Sequence, residues 1–246
     1  MYPPPLNRCE LGPGLVADTQ RALWLEADRT LVVADIHLGH LWVERQRGAL
    51  LPIVPDDTLE RLLRLRRDYA PRAWIFLGDT VHAPARLTVL EEELHRVVET
   101  LRTGGNTEMH FVLGNHDRHL PEMLERLGLA ARCVPEHILG PHLFVHGDAH
   151  DWPALQPWLP PRGRVIHGHQ HPALVFGDGL TTPVKAPCFL VSPRRIVLPA
   201  FSRWADHVPW DSHPPLSPLS ADDPPETAVA ILGDRLLPMN LREGPP

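Results

Sequence analysis

The sequence predicts an α/β fold, on two observations. Five short apolar runs share one kind of ending, a cluster of polar residues, and segments of helical periodicity lie between them. The first run, TLVVADIH (30–37), follows RALWLEAD and reads as the second strand of a hairpin turning near Ala27 and Asp28. Next comes DDTLERLLRLRRDYA (56–70), a helix with Asp56 or Asp57 as N-cap and Leu59, Leu62, Leu63 and Leu65 as its apolar set. WIFLGDTVH (74–82) is the second run. RLTVLEEELHRVVETLRTGG (86–105) repeats Leu87, Leu90, Leu94, Val97, Val98 and Leu101 at helical spacing and stops at glycines. HFVLGNHD (110–117) leads into LPEMLERLGL (120–129), which has Pro121 in its first turn and Gly128 at its end. HLFVHGD (142–148) and RVIHGHQH (164–171) complete the set. Runs this short, rich in Val, Ile, Leu and Phe, suit strands covered on both faces.

Beyond them APCFLVSPRRIVLPAF (186–201) reads as a hairpin turning at Ser192 and Pro193. The expected organisation is a main domain over residues 1–203, an extended or disordered Pro-rich linker over 204–226, and a C-terminal hairpin and tail over 227–246, turning at Gly233 and Asp234 and packed on the main domain.

Composition narrows the function. With 246 residues and 43% hydrophobic content the chain can bury a full core. A net charge of −6 and a single lysine, Lys185, argue against a broad basic face for duplex nucleic acid, though not against a local phosphate cleft. Cys9, Cys133 and Cys188 are odd in number and far apart, which excludes a disulfide framework and a C-x-x-C knuckle and points to the reducing cytoplasm. No export signal is expected, and no stretch approaches the roughly 18 apolar residues of a membrane span.

Strand C-termini in α/β sheets gather at one edge, so the polar endings should converge on one crevice. The gathered set is Asp35 and His37, Asp79, Asn115 with His116 and Asp117, His146, and His169 with His171. In extended chain, residues two apart point the same way, so Asp35/His37 and His169/His171 can each present two ligands to one side. The ligands are too many for one tetrahedral zinc, and their mixed N/O character suits manganese, iron or zinc, best as two cations sharing a carboxylate. Taken singly these motifs are weak. Asp-x-His recurs at Asp117/His119, Asp148/His150 and Asp211/His213 in a chain with 16 histidines, so that pattern alone is close to noise. GNHD and GHQH are more specific, because each puts several uncommon residues directly after an apolar run. The remaining histidines are expected in core or surface roles, with His40 and His82 set apart as exceptions. The arginines of RLLRLRR read as a solvated helix face.

The order Asp35-x-His37, Gly78-Asp79, Gly114-Asn115-His116-Asp117, His146-Gly147, Gly168-His169-x-His171 resembles the calcineurin-like metallophosphoesterases, across residues 30–201. More narrowly, ADIHLGH, LGDTVH, GNHDR, HGHQHP and APCFLVSPRRIVLPAF resemble the bacterial ligase-associated DNA-damage endonuclease/phosphodiesterase (PdeM-like) group. The likeness departs after Phe201, where SRWADHVPWDSHPP replaces a small, Gly-containing segment.

The resemblance implies a four-layer α/β/β/α sandwich of two mixed sheets flanked by helices. It implies two divalent metal ions, Mn2+ first and iron or zinc as alternatives. One would be held by Asp35, His37, Asp79 and His171, the other by Asp79, Asn115, His146 and His169. It further implies hydrolysis of phosphodiester bonds by in-line attack of a bridging hydroxide, with His116 as general acid, Asp117 fixing its imidazole and Arg118 meeting a phosphate oxygen. The implied substrate is single-stranded or structured DNA, with a ligase or helicase partner or a homodimer as associations and no membrane. A small-molecule phosphodiesterase or phosphomonoesterase is the alternative, and a non-catalytic scaffold is the alternative of another class.

Overall fold

The computed structural model describes the chain outside residues 1–6, 51–55, 83–87, 103–106, 150–151, 156, 158, 178–181, 212–214, 221–222 and 243–246. Leu87 and the glycines expected to end the 86–105 helix lie outside the described residues. The first sheet holds β1 (Arg8–Gly12), β2 (Leu15–Asp18), β3 (Ala22–Leu25), β4 (Thr30–Ala34), β5 (Ala73–Leu77), β6 (Glu108–Val112) and β7 (Arg132–Val134), side by side in that order. Antiparallel pairing from β1 to β4 gives way to parallel pairing from β4 to β7, so the sheet is mixed. The second sheet holds β8 (Glu136–Leu139), β9 (His142–Val145), β10 (Val165–His167), β11 (Pro172–Phe176), β12 (Val184–Val191), β13 (Arg195–Val197), β14 (Val208–Pro209), β15 (Thr227–Leu232) and β16 (Arg235–Asn240). Its path runs β14-β11-β12-β13-β10-β9-β8, with β15 joined to β12 and β16 to β15.

Strand alternation explains how the layers stack. Along β4, Leu31 and Val33 face one way and Val32 and Ala34 the other, and all are fully buried. The Leu31 side packs with Trp74, Phe76 and Phe111 of its neighbours against the helices α2 (Thr58–Tyr69), α3 (Thr88–Arg102) and α4 (Leu120–Arg126). The Val32 side meets Phe144, Ile166, Phe189 and Ile196 of the second sheet, forming the core between the sheets. The apolar set of α2 narrows on folding. Leu62 and Leu65 are buried, whereas Leu63 is exposed, because the stripe facing the sheet is only one side of the helix wide. Asp57 makes no capping bond there, and the Asp56 carboxylate accepts the Thr58 amide at 2.9 Å instead.

The outer layer on the second sheet is slight. Leu143, Val145 and Val165 are covered by Leu155 of α5 (Trp152–Leu155), by Leu159 and by Leu219. Pro153, Pro157, Pro160 and Pro161 crowd that stretch and remove the amides a longer helix would need.

Residues 204–226 carry no periodicity, yet the described ones are tied to the main body. β14 pairs with β11, and Ser217 and Leu219 are fully buried. The Ser217 amide donates to Gln170 Oε1 at 2.9 Å, its hydroxyl donates to the Gly147 carbonyl at 2.7 Å, and buried Arg195 donates to the Leu219 carbonyl. Such anchoring comes from side-chain bonds made by other segments, which local pattern does not encode. No helix among the described residues is long and apolar enough to cross a membrane.

Candidate metal centre

Each core strand stops before the polar residues that follow it: β4 at Ala34, β5 at Leu77, β6 at Val112, β9 at Val145 and β10 at His167. The polar residues therefore lie on turns, and the turns are laced together. The Asp35 amide donates to the Gly78 carbonyl at 3.2 Å, His37 to Asp79 at 2.9 Å, and Gly78 to Val112 at 2.9 Å. The expectation that extended chain aims Asp35/His37 and His169/His171 is corrected here. Asp35, His37, Asp79, His169 and His171 have φ of 53°, 50°, 45°, 62° and 45°, all left-handed. Pairs two apart still converge, but by alternating left-handed residues in tight turns, as when the Gln170 amide donates to the Gly168 carbonyl at 2.7 Å.

Three groups of ligand atoms result among the described residues, of which His37, His82 and His116 form one without a carboxylate and the other two include one. Asp35, His37 and His171 offer atoms within 4.8 Å of one another, and so do Asp79, His146 and His169. Asp79 Oδ2 lies 4.0 Å from His37 Nε2 and 3.5 Å from His146 Nε2, between the groups. Asn115 Oδ1 and His169 Nδ1 each lie 3.1 Å from that same His146 Nε2. Three glycines leave room for this crowding. A Cβ on Gly78 would stand 1.9 Å from His146 Nδ1, and one on Gly114 or Gly168 would meet a carboxylate oxygen of Asp79 or Asp35.

The chemistry of these atoms fits divalent cations. His37 Nδ1, His146 Nδ1 and His171 Nε2 are buried without a hydrogen-bond partner, an expensive arrangement for polar atoms. The Asp206 carbonyl, 3.2 Å from His171 Nδ1, can only accept, so Nδ1 carries the proton and the orphaned Nε2 presents its lone pair 3.5 Å from Asp35. Burial pushes His37 down to about 3, which keeps it neutral and able to ligate. Burial opposes charge on His146 too, but the hydrogen bond it donates to the Asp79 carboxylate and the nearby Asp35 carboxylate outweigh it and push that histidine up to about 9. Burial would raise Asp79, yet His146, His37 and the His116 amide hold it below the usual carboxylate range. Carboxylates kept ionised around imidazoles at near van der Waals spacing are a cation-binding environment.

The residues expected to touch substrate are arranged differently from one another. His116 borders the cavity beside the ligands, its ring held by the carbonyl of His82, so Nδ1 donates there and Nε2 faces Asp79 Oδ2 at 3.9 Å. Asp117 does not hold that ring. Fully buried, it accepts the Gly114 and Val81 amides at 3.1 Å each and clamps the turn that carries Asn115 and His116. Burial, then nearby Asp79, push its carboxyl up to about 7. Arg118 is exposed, and His119 stands apart with Glu122 at 3.8 Å.

Two further features border the site, the first of them the histidine pair that the sequence set apart and the second one that it missed. His40, on α1 (His40–Gln46), meets His82 through Nδ1 atoms 3.1 Å apart, and His82 Nε2 is 3.3 Å from Glu44 Oε1. Burial, with His40 adding to it, pushes His82 down to about 4. The second is the 202–206 segment, whose Trp204, Ala205 and Asp206 line the same cavity as His37, His116 and His171. Trp204 lay in the one stretch where the motifs depart from the family pattern, and that departure was the only signal in the sequence.

A family model for calcineurin-like phosphoesterase matches residues 28–173, a span containing every ligand candidate. Among solved structures, the crystal structure of Pseudomonas putida nuclease MPE is 23% identical, with 97% of this chain and 100% of that chain covered at a TM-score of 0.66, a likeness of fold. Yfce, a phosphoesterase from E. coli, is 19% identical over 84% of this chain and 90% of its own, at a TM-score of 0.41 that bears on nothing further. No curated protein matches the chain. With the model spanning well over half its length and its signature side chains meeting in one crevice, the chain belongs to the calcineurin-like phosphoesterase family and is a metal-dependent phosphoesterase.

Proposed function

We propose that the protein is a dinuclear phosphodiesterase that cleaves single-stranded or structured DNA. The observation that carries the dinuclear reading is the pair of ligand groups with Asp79 between them. Asp35, His37, Asp79 and His171 would hold one cation; Asp79, Asn115, His146 and His169 would hold the other. When bound, two such cations supply Lewis-acid polarisation of the phosphoryl group and acidify water, and Mn2+ suits the mixed N/O set.

The remaining steps belong to side chains. Asn115 contributes an oxygen without adding negative charge. His116, pinned through Nδ1, delivers a proton from Nε2 to the departing oxygen. Asp117 acts by holding the Asn115–His116 turn in place, and exposed Arg118 can meet a substrate phosphate. DNA as substrate draws support from the narrower motif resemblance and from the nuclease whose fold the chain shares. A repair setting with a ligase or helicase partner follows from that resemblance alone. Net charge of −6 and a single lysine favour a short or flexible strand over extended duplex, and they also keep a small-molecule phosphoester as the second reading.

Purified protein is expected to hydrolyse bis(p-nitrophenyl) phosphate with added Mn2+, and Asp79→Ala and His116→Ala each to lose at least about a hundredfold in kcat. Retained activity in either variant would sink this site. Comparing single-stranded DNA, duplex DNA, cyclic nucleotides and a simple monoester under Mn2+ then separates the two substrate readings.

A further inference from the structure

The cavity beside the ligand groups has a volume of about 600 Å3, and one of its walls is not built for metals or protons. Trp204 forms that wall, facing the space also lined by His37, His116, His171 and Arg47. Its side chain is half-buried, and among the described residues no ring stacks on it and no cation lies over it.

Its backbone, by contrast, is firmly held. The Phe201 amide donates to the Ala34 carbonyl at 2.7 Å and the Ser202 amide to the Asp35 carbonyl at 3.1 Å, extending the end of β4. Arg21 donates to the Ala200 and Ser202 carbonyls at 2.9 and 2.7 Å, and buried Arg61 donates to the Phe201 carbonyl at 2.7 Å. The Trp204 amide donates to Ser202 Oγ at 3.1 Å, Ala205 is buried, and the Asp206 carbonyl receives His171. A large aromatic side chain is thus carried on a turn held through its backbone, the same turn whose Asp206 carbonyl receives His171, and it lines the cavity that borders the ligand groups.

We infer that Trp204 is a stacking platform for the nucleobase next to the scissile phosphodiester, an inference that rests on the phosphodiesterase reading above and names its substrate as nucleotide-bearing. Stacking of bases on aromatic side chains is the main non-ionic source of affinity for flexible single strands, and it does not depend on base identity. It suits a chain whose 24 basic residues are outnumbered by 30 acidic ones, for a net charge of −6. Arg47, 63% exposed on the lining of the same cavity and paired with Glu44 at 2.7 Å, can meet the charge of a neighbouring phosphate. A lipid or a bare sugar phosphate would use the same wall without a planar partner.

Two esters with the same p-nitrophenolate leaving group test this: thymidine 5'-(p-nitrophenyl phosphate) and methyl p-nitrophenyl phosphate. The expected result is a wild-type preference in kcat/KM for the thymidine ester that falls roughly five- to a hundredfold in Trp204→Leu and is largely kept in Trp204→Phe. A ratio unchanged in Trp204→Leu, or one lost equally in Trp204→Phe, overturns the stacking role. If the wild type hydrolyses neither ester, the phosphodiesterase reading fails by itself, and the platform is judged by anisotropy with a labelled ten-thymidine strand. Equal Kd for wild type and Trp204→Leu would then overturn it.

Discussion

Asp35, His37, Asp79, His169 and His171 all hold left-handed backbone, a conformation that costs on the order of 1–3 kcal/mol for a non-glycine residue. Such strain persists only where surroundings over-determine it, and here the amide ladder between the turns does so. The identity of these residues was legible in the sequence, since metal-binding side chains directly after apolar runs are rare. Their conformation was not, because extended and left-handed turns can present the same spacing of two. Gly168 tests how tight the arrangement is. Its φ is not left-handed, so the cost of adding a methyl is steric alone, with the new Cβ 2.5 Å from Asp35 Oδ2. Gly168→Ala is expected to displace the Asp35 carboxylate, lower the divalent metal bound per chain relative to wild type, and cut activity about a hundredfold. Full metal content by mass spectrometry with unchanged activity would show that Asp35 has slack.

Helices α2 to α4 were legible because a 3.6-residue period survives in any sequence that must bury one face. The short strands β1, β2, β7, β8 and β11 and the helix α1 were not, since they are short and their burial is mixed, which leaves no clean period to read. On α3, Glu93 shows what period alone misses. Burial, then Asp56, push its carboxyl up to about 7, and Oε2 has no partner among the described residues. A free glutamate titrates near 4.5, so the folded chain keeps a proton that the unfolded chain releases. Stability is therefore undiminished below about pH 4.5 and is lost as pH rises to about 7. Discounted for partial exposure, Glu93→Gln is expected to gain about 1–2 kcal/mol over wild type at pH 8 and almost nothing at pH 4.5. Urea unfolding at the two pH values checks this, and a gain equal at both would discard the titration.

At the scale of the whole molecule, the C-terminal hairpin is part of the second sheet. β15 pairs with β12 from Cys188↔Ala230 to Val191↔Thr227, and Val229, Ile231 and Leu236 enter the core between the sheets. Deleting residues 227–246 removes those three side chains, at about 2 kcal/mol each, and is expected to lower Tm by more than about 10 °C. An unchanged melting curve would mark the hairpin as an appendage. The sequence by itself determined the α/β class, the order of the core elements and the candidate side chains that meet in the crevice, because periodicity and residue type are local properties. Tertiary structure alone decided that the paired candidates converge through left-handed turns, that Asp117 clamps a turn rather than an imidazole, and that Trp204 walls the site. Those outcomes depend on how two sheets are registered against each other and on hydrogen bonds from residues more than a hundred positions away, as Arg21 and Arg61 make to the segment carrying Trp204.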